Sequence, residues 1–332
     1  MSVSSIHAAP DEPTDALRAV GKPDGPAPRV AVLIGVYNGE RFIEEQIETL
    51  ARQDVERVDL WFSDDGSTDR TRDIVEDTKS RWTKGEVHLL KGPGRGFAEN
   101  FRSLLVCPDV DADYLALCDQ DDLWDADKLS AALAWIDAEA GGAPALHCSR
   151  TRIIAQDGTQ TGYSPLFRHA PDFRNAMVQN IAGGNTMVMN RAAHRLLREA
   201  SRNVTFVSHD WWCYLFLTGI GGHVHYSPDA RTSYRQHDRN VMGEKSSLRA
   251  RIARLRMIGK GRFRSWNATN LAALGACREL LTHDARRTVD LYARAREGRL
   301  LERLAALRRS GVYRQTLAEQ IGLYAACVLK RI

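Results

Sequence analysis

The sequence contains no CxxC pair, no GxGxxG fingerprint after its first apolar run, no GxxxxGK(S/T) loop and no internal repeat. Without those glycine loops the chain is neither an ordinary dinucleotide-binding fold nor a P-loop protein. Six cysteines, at 107, 118, 148, 213, 277 and 327, stand apart, four of them inside apolar runs. That usage fits reduced, buried thiols in a cytoplasmic protein better than a disulfide framework. No apolar stretch approaches the roughly 20 residues that span a bilayer. The opening segment, Met1–Pro10, has no basic region ahead of an apolar core, so it does not read as a signal peptide.

What is present suits a folded soluble enzyme or binding protein. The 332 residues are 43% hydrophobic and 27% charged, enough for one large α/β domain with an appendage, or for two domains. The net charge of +4 is unevenly shared: residues 245–332 carry 20 Lys/Arg against 6 Asp/Glu, a balance of +14 that leaves −10 for the rest. Residues 1–28 hold five of the eleven prolines and few large apolar residues, and are expected to be a disordered leader.

From Arg29 the chain alternates. Arg29–Val36 is a continuous apolar and β-branched run, the pattern of a strand buried on both faces of a parallel sheet. Tyr37-Asn38-Gly39 turns it into a helical pattern with Phe42, Ile43, Ile47 and Leu50 on one face. A second strand, Val58–Phe62, stops at Ser63-Asp64-Asp65-Gly66, and a helix starts near Arg70. A short third strand, Val87–Leu90, leads through the basic glycine turn Lys91–Gly96 into a helix over 97–105; that turn could meet phosphate or be plain solvated loop. The alternation predicts an α/β fold with a doubly wound, mostly parallel sheet, whose ligands lie beyond the carboxyl ends of the strands.

The stretch Asp113–Trp124 then places three carboxylates, Asp119, Asp121 and Asp122, at the tip of an apolar strand. One Asp would cap the helix expected from Asp125, but three repel one another unless a hard divalent cation, Mg²⁺ or Mn²⁺, takes them together with phosphate oxygens. Pro144–Ser149 and Thr151–Ala155, near the Asp157-Gly158 turn, read as antiparallel edge structure, and 163–180 as a loop facing substrate. Ser208-His209-Asp210-Trp211-Trp212 opens an apolar helix. Asp210 there suits a general base beside two sugar-stacking indoles, or else a helix cap above core tryptophans. His223 and His225 lack a matching Cys/His/Asp cluster for zinc. Arg235 and His237, at a strand end, suit a diphosphate. Leu248, Ile252, Leu255 and Ile258, with arginines between, read as a basic amphipathic helix, followed by helices near 266–282, 284–309 and 312–330.

Five segments occur in order: Val32–Ile47, Ser63–Asp69, Cys118–Trp124, Ser208–Trp212 and Tyr234–His237. Together they resemble family 2 glycosyltransferases with the GT-A fold, particularly the bacterial rhamnosyltransferase-like members, over residues 29–243, with 244–332 as an added basic helical region. The resemblance implies inverting transfer from a nucleotide-diphosphosugar, dTDP-rhamnose or a UDP-sugar, to a hydroxyl of a saccharide or polyprenyl-diphosphate-linked acceptor, in surface polysaccharide such as lipopolysaccharide. It puts Tyr37, with Asn38, at the nucleotide base, and leaves Gly35 where some relatives hold a base-contacting hydroxyl. Asp65, with Asp64, meets base or ribose. Asp121 and Asp122 meet ribose and the metal-bridged diphosphate, Asp122 as direct ligand and Asp119 in support. Asp210 is the catalytic base, Arg235 and His237 steady the diphosphate, and Trp211 or Trp212 stacks on a sugar.

Two other functions fit parts of the pattern. A sugar-phosphate nucleotidyltransferase would want a basic glycine loop after the first strand, which Tyr37-Asn38-Gly39 does not supply. A non-catalytic adaptor could hold an anionic membrane surface through residues 245–332, which would make the protein cytoplasmic and peripheral on the inner face. Nucleic acid is not expected, because the basic residues are neither interleaved with exposed aromatics nor set in a known module. The sequence leaves a homo-oligomer open.

Overall fold

The computed structural model describes residues 26–237 and 262–332. In order, β1 (Arg29–Val36), α1 (Ile43–Ala51), β2 (Arg57–Asp64), α2 (Thr71–Arg81), β3 (Val87–Lys91), α3 (Phe97–Leu105) and β4 (Tyr114–Asp119) keep the alternation expected from hydrophobic spacing. There follow β5 (Leu123–Trp124), α4 (Lys128–Ala140), β6 (Ala145–Ser149), β7 (Arg152–Ile154), β8 (Gln160–Tyr163), α5 (Phe173–Ala176), β9 (Val188–Asn190), α6 (Arg191–Ser201), α7 (His209–Gly219), β10 (His223–Ser227) and β11 (Thr232–Arg235). The C-terminal region folds as α8 (Arg262–Ala276), α9 (His283–Glu297), α10 (Leu300–Ser310) and α11 (Leu317–Val328).

Seven strands form the main sheet in the order β10-β6-β9-β4-β1-β2-β3. Only β9 runs antiparallel to its neighbours β4 and β6. The strand order reverses at β1, which lies between β2 and β4 in parallel register. Gly35 sits level with Ser63 on one side and Asp119 on the other, so the turns after these three strands leave the sheet together. That is the switch-point crevice of a doubly wound sheet.

Period two decides which side of the sheet each β1 residue serves. Val30, Val32, Ile34 and Val36 pack with Ile43, Leu50, Val75, Leu129 and Ile136 from α1, α2 and α4. Ala31 and Leu33 face the opposite core, with Phe101, Leu197, Trp212 and Phe216. That second core runs on without a break into Phe263, Leu274, Tyr292, Leu307 and Cys327 of the C-terminal helices. All six cysteines are buried and unpaired.

The structure moves some boundaries. Ala145–Ser149 was expected to join the edge hairpin, but all five residues are buried, and the strand enters the main sheet beside β9 and β10. Only β7 and β8 pair across the Asp157-Gly158 turn, where Gly158 takes a φ of 86°. They form a second sheet, in the order β5-β11-β7-β8. The helix predicted over 284–309 breaks at Gly298, because the Glu302 carboxylate accepts the Arg299 amide and starts a new helix there. The basic amphipathic segment at 248–258 lies outside the described residues.

A shared core predicts shared unfolding. Leu274→Ala should cost about 2–5 kcal/mol and shift tryptophan fluorescence and far-UV circular dichroism together in one urea transition. Two separate transitions, only one of them displaced, would contradict a continuous core.

Candidate active site

The acidic tip of β4 divides into parts with different jobs. Asp122 is wholly buried. Its Oδ2 accepts from the Asn185 side-chain amide, and its Oδ1 accepts from the Arg235 backbone N–H at 3.1 Å. Burial, then the charges of Asp121 and Asp119, holds its carboxyl well above the usual range. Beneath it lies Lys128, buried, its Nζ 3.2 Å from the centroid of the Trp124 ring and without a hydrogen-bond partner. Burial lowers this ammonium to about 7, against the pull of the Cys118 thiol and Asp122. Asp121 by contrast keeps 15% of its side chain exposed, and its Oδ2 lies 2.6 Å from Nε2 of His237, whose ring stacks on Phe42. The direct-ligand role expected of Asp122 meets an obstacle: both Asp122 oxygens are engaged inside the protein, while Asp121 has an imidazole beside it.

Arg235 also has a different place from the one expected. It is 2% exposed; its Nε donates to the Asp121 carbonyl at 3.0 Å, one terminal nitrogen to the Gln156 carbonyl at 2.7 Å and the other to Glu45 at 2.7 Å. The guanidinium also lies over the Phe42 ring. It braces the turn and cannot also grip a diphosphate.

On the other side of the crevice, Tyr37 leaves β1 57% exposed, its backbone clasped by Gln120 through the Tyr37 N–H at 2.9 Å and its carbonyl at 3.1 Å. Asn38 takes a positive φ of 47°. Its side-chain oxygen accepts from the Thr68 N–H, so it staples two turns rather than facing a ligand. Asp64 is likewise internal, accepting from the Ser67 N–H and pairing with Arg72 at 2.9 Å. Asp65 reaches outward and accepts the Gly94 and Gly96 N–H groups, each at 2.7 Å. The amides of that glycine turn thus already hold a carboxylate. A Cβ at Gly35 would meet the Phe101 ring at 3.0 Å, which explains the missing side chain there.

Asp210 comes to the same crevice from α7. Its Oδ2 accepts from Asn180 at 2.8 Å and its Oδ1 from the Trp211 N–H at 2.7 Å, at the positive end of the helix. Burial, then the charges of Asp121 and Asp210, pushes the Asp119 carboxyl up to about 7. A Cβ at Gly184 would lie 3.3 Å from the Asp210 Cβ, and the next residue, Asn185, bonds Asp122, which brings Asp210 close to the acidic cluster. The sugar-stacking role of Trp211 and Trp212 fails. Trp212 is wholly enclosed with its indole N–H on Ser201. Trp211 donates to the Ala176 carbonyl and meets Trp266 edge-on. Both are core residues, as the apolar run of α7 alone would suggest.

Several contributors were not singled out from sequence: Gln120, Lys128, Asn180, Asn185 and His209. His209 stacks on Phe101, has no partner on either ring nitrogen, and is lowered to about 4 by burial. Gly184 must be glycine because a Cβ would come within 2.5 Å of that ring. The polar run Gly183–Thr186 within apolar sequence was the available signal for Asn185.

Residues 31–197 match the family model described as Glycosyl transferase family 2. The dTDP-rhamnosyl transferase RfbG of Shigella flexneri is 25% identical over 234 residues, 68% of this chain and 78% of that protein. Among solved structures, Staphylococcus aureus TarS 1-349 in complex with UDP superposes with a TM-score of 0.53 at 15% identity, covering 91% of this chain and 88% of that one. Mannosyltransferase PcManGT from Pyrobaculum calidifontis, in complex with GDP-Man and Mn2+, gives 0.50 at 18% identity, covering 92% and 86%.

The raised Asp119 carboxyl sets a pH dependence. Between about 4, where a free Asp titrates, and about 7, the folded chain keeps a proton that the unfolded chain has lost. This group therefore makes stability fall as pH rises through that window. In chelator-treated protein, Asp119→Asn should flatten the decline in urea midpoint between pH 5 and 7; an unchanged slope would contradict the cluster electrostatics.

Proposed function

Because the chain belongs to glycosyl transferase family 2 and has the GT-A fold, we propose that it transfers a sugar from a nucleotide-diphosphosugar to a hydroxyl of a saccharide or lipid-linked saccharide in polysaccharide synthesis, inverting the anomeric carbon. What supports this reading is the nearness of Asp210 to the acidic tip of β4 through Gly184 and Asn185, with Asn180 and a helix N-terminus holding its carboxylate.

Tyr37 and Asp65 border the nucleotide at the strand switch. Asp210 accepts the proton of the acceptor hydroxyl as that oxygen attacks C1, and the diphosphate leaves from the opposite face; one displacement gives inversion. The low local dielectric makes the carboxylate orientation set by Asn180 count for more than it would in water.

The residues fit a divalent cation, Mg²⁺ or Mn²⁺. Among the described residues no three His, Cys, Asp or Glu side chains form a ready metal cage. A cation shared with a diphosphate needs only one or two protein carboxylates, the phosphates and water supplying the rest. Asp121 would hold it, with His237 and Asp119 beside it, and bound there it would neutralise charge on the leaving diphosphate. The TarS fragment with UDP and the mannosyltransferase with GDP-Man and Mn2+ support the donor class, and the name of the Shigella relative favours dTDP-rhamnose over a UDP-sugar.

Asp210→Asn should retain nucleotide binding while transfer falls by roughly 10²–10⁴-fold, read by product formation and nucleotide titration. Normal turnover by that variant would remove the base assignment. Asp121→Asn should abolish Mn²⁺-dependent nucleotide binding with little change in urea midpoint, whereas Asp122→Ala should lower the midpoint itself. The reverse pattern would return the ligand role to Asp122.

A further inference from the structure

The last helix carries a surface that the transfer chemistry does not use. Its inner side, Leu323, Ala326 and Cys327, is buried in the core. Its outer side runs Leu317, Ile321, Ala325, Val328 and Leu329, successive turns of exposed residues without one polar group. The Arg303 guanidinium donates to the carbonyls of Cys327 and Val328 at 2.5 and 2.9 Å, which fixes the start of α10 beside the end of α11. Leu300 and Leu301, in the first turn of α10 with Arg303, are also exposed. Leu301 is 80% exposed and Leu317 77%, far from the single scattered leucines of an ordinary surface.

Charge selects the occupant. Arg299 and Lys330 flank the strip, Arg308 lies two turns beyond Leu301 on α10, and the described residues 262–332 carry 14 Lys/Arg against 6 Asp/Glu. A second copy related by two-fold symmetry would bring the same basic surface against itself. An anionic bilayer offers the opposite charge and an apolar layer together. No described helix is long and apolar enough to cross a membrane, so contact here would be with its surface.

We propose that the α10–α11 face docks on an anionic lipid bilayer, with Leu301, Leu317, Ile321 and Leu329 entering the acyl boundary and Arg299, Arg308 and Lys330 meeting the headgroups. The docking rests on this face and not on the assignment of the sugar site.

The test is vesicle flotation of the full chain. It should float with vesicles of phosphatidylcholine and phosphatidylglycerol, stay behind with phosphatidylcholine alone, and release at high salt. The fourfold variant Leu301→Ser, Leu317→Ser, Ile321→Ser, Leu329→Ser should lose at least about tenfold in partition while keeping its thermal midpoint and its nucleotide binding. Equal partition of variant and wild type overturns the proposal. So does a wild-type dimer, by light scattering, that the variant converts to monomers, because the strip would then be an interface between copies. Loss of nucleotide binding through Asp121→Asn with flotation intact separates failure of the sugar site from failure of the membrane face.

Discussion

The site depends on one buried carboxylate. Asp122 lies where the main sheet ends and the second sheet begins, and its two oxygens tie the Asn185 turn to the backbone of β11. Removing a carboxylate from water costs several kcal/mol unless hydrogen bonds and opposite charge replace the solvent. Here two donors do so, and Lys128 lies beneath, perched on Trp124 rather than in a direct ion pair. Once Asp122 holds the Arg235 amide, the Arg235 side chain is committed inward to Asp121, Gln156 and Glu45. The Asp121 carboxylate is then the member of the pair left facing the crevice, with His237 against it.

The same economy of donors shapes the turns after β1 and β2. Asn38, Asp64, Ser67, Thr68 and Arg72 bond to one another and make the turns after β1 and β2 a single rigid lip. Asp65 is joined by two backbone N–H groups to the turn before α3, so a ligand touching it also feels the position of that turn. What the lip leaves free is the Tyr37 ring. A wall of internally satisfied polar groups with one exposed aromatic presents a stacking face with few unpaired donors.

Much of the backbone was legible in the sequence because it follows from period. The buried run of β1, the helical spacing after it and the carboxylates at the tip of β4 each point to one local structure, and neighbouring parallel strands then bring Tyr37, Asp65 and Asp119 to one edge. The division of labour among side chains was not legible. Asp121 and Asp122 are the same residue type one position apart, and only the third dimension shows that Asn185 and β11 claim one of them. Arg235 looked like an anion grip because a strand end shows its charge but not its acceptors. The two tryptophans after Asp210 were ambiguous for a related reason: an indole suits a sugar face or a core, and the apolar length of α7 decides for the core.

That last correction changes how the C-terminal helices relate to the chemistry. Trp211, the residue after the proposed base, supplies the N–H that holds the Asp210 carboxylate, and its indole packs edge-on against Trp266 of α8. From there one continuous apolar cluster reaches Tyr292, Leu307 and Cys327. Close-packed interiors transmit displacement instead of absorbing it. The basic helices are therefore mechanically joined to the segment that carries Asp210, through a tryptophan whose contribution is packing. A surface that fixes α10 and α11 in space would, through this cluster, also fix the position of the Asp210 carboxylate.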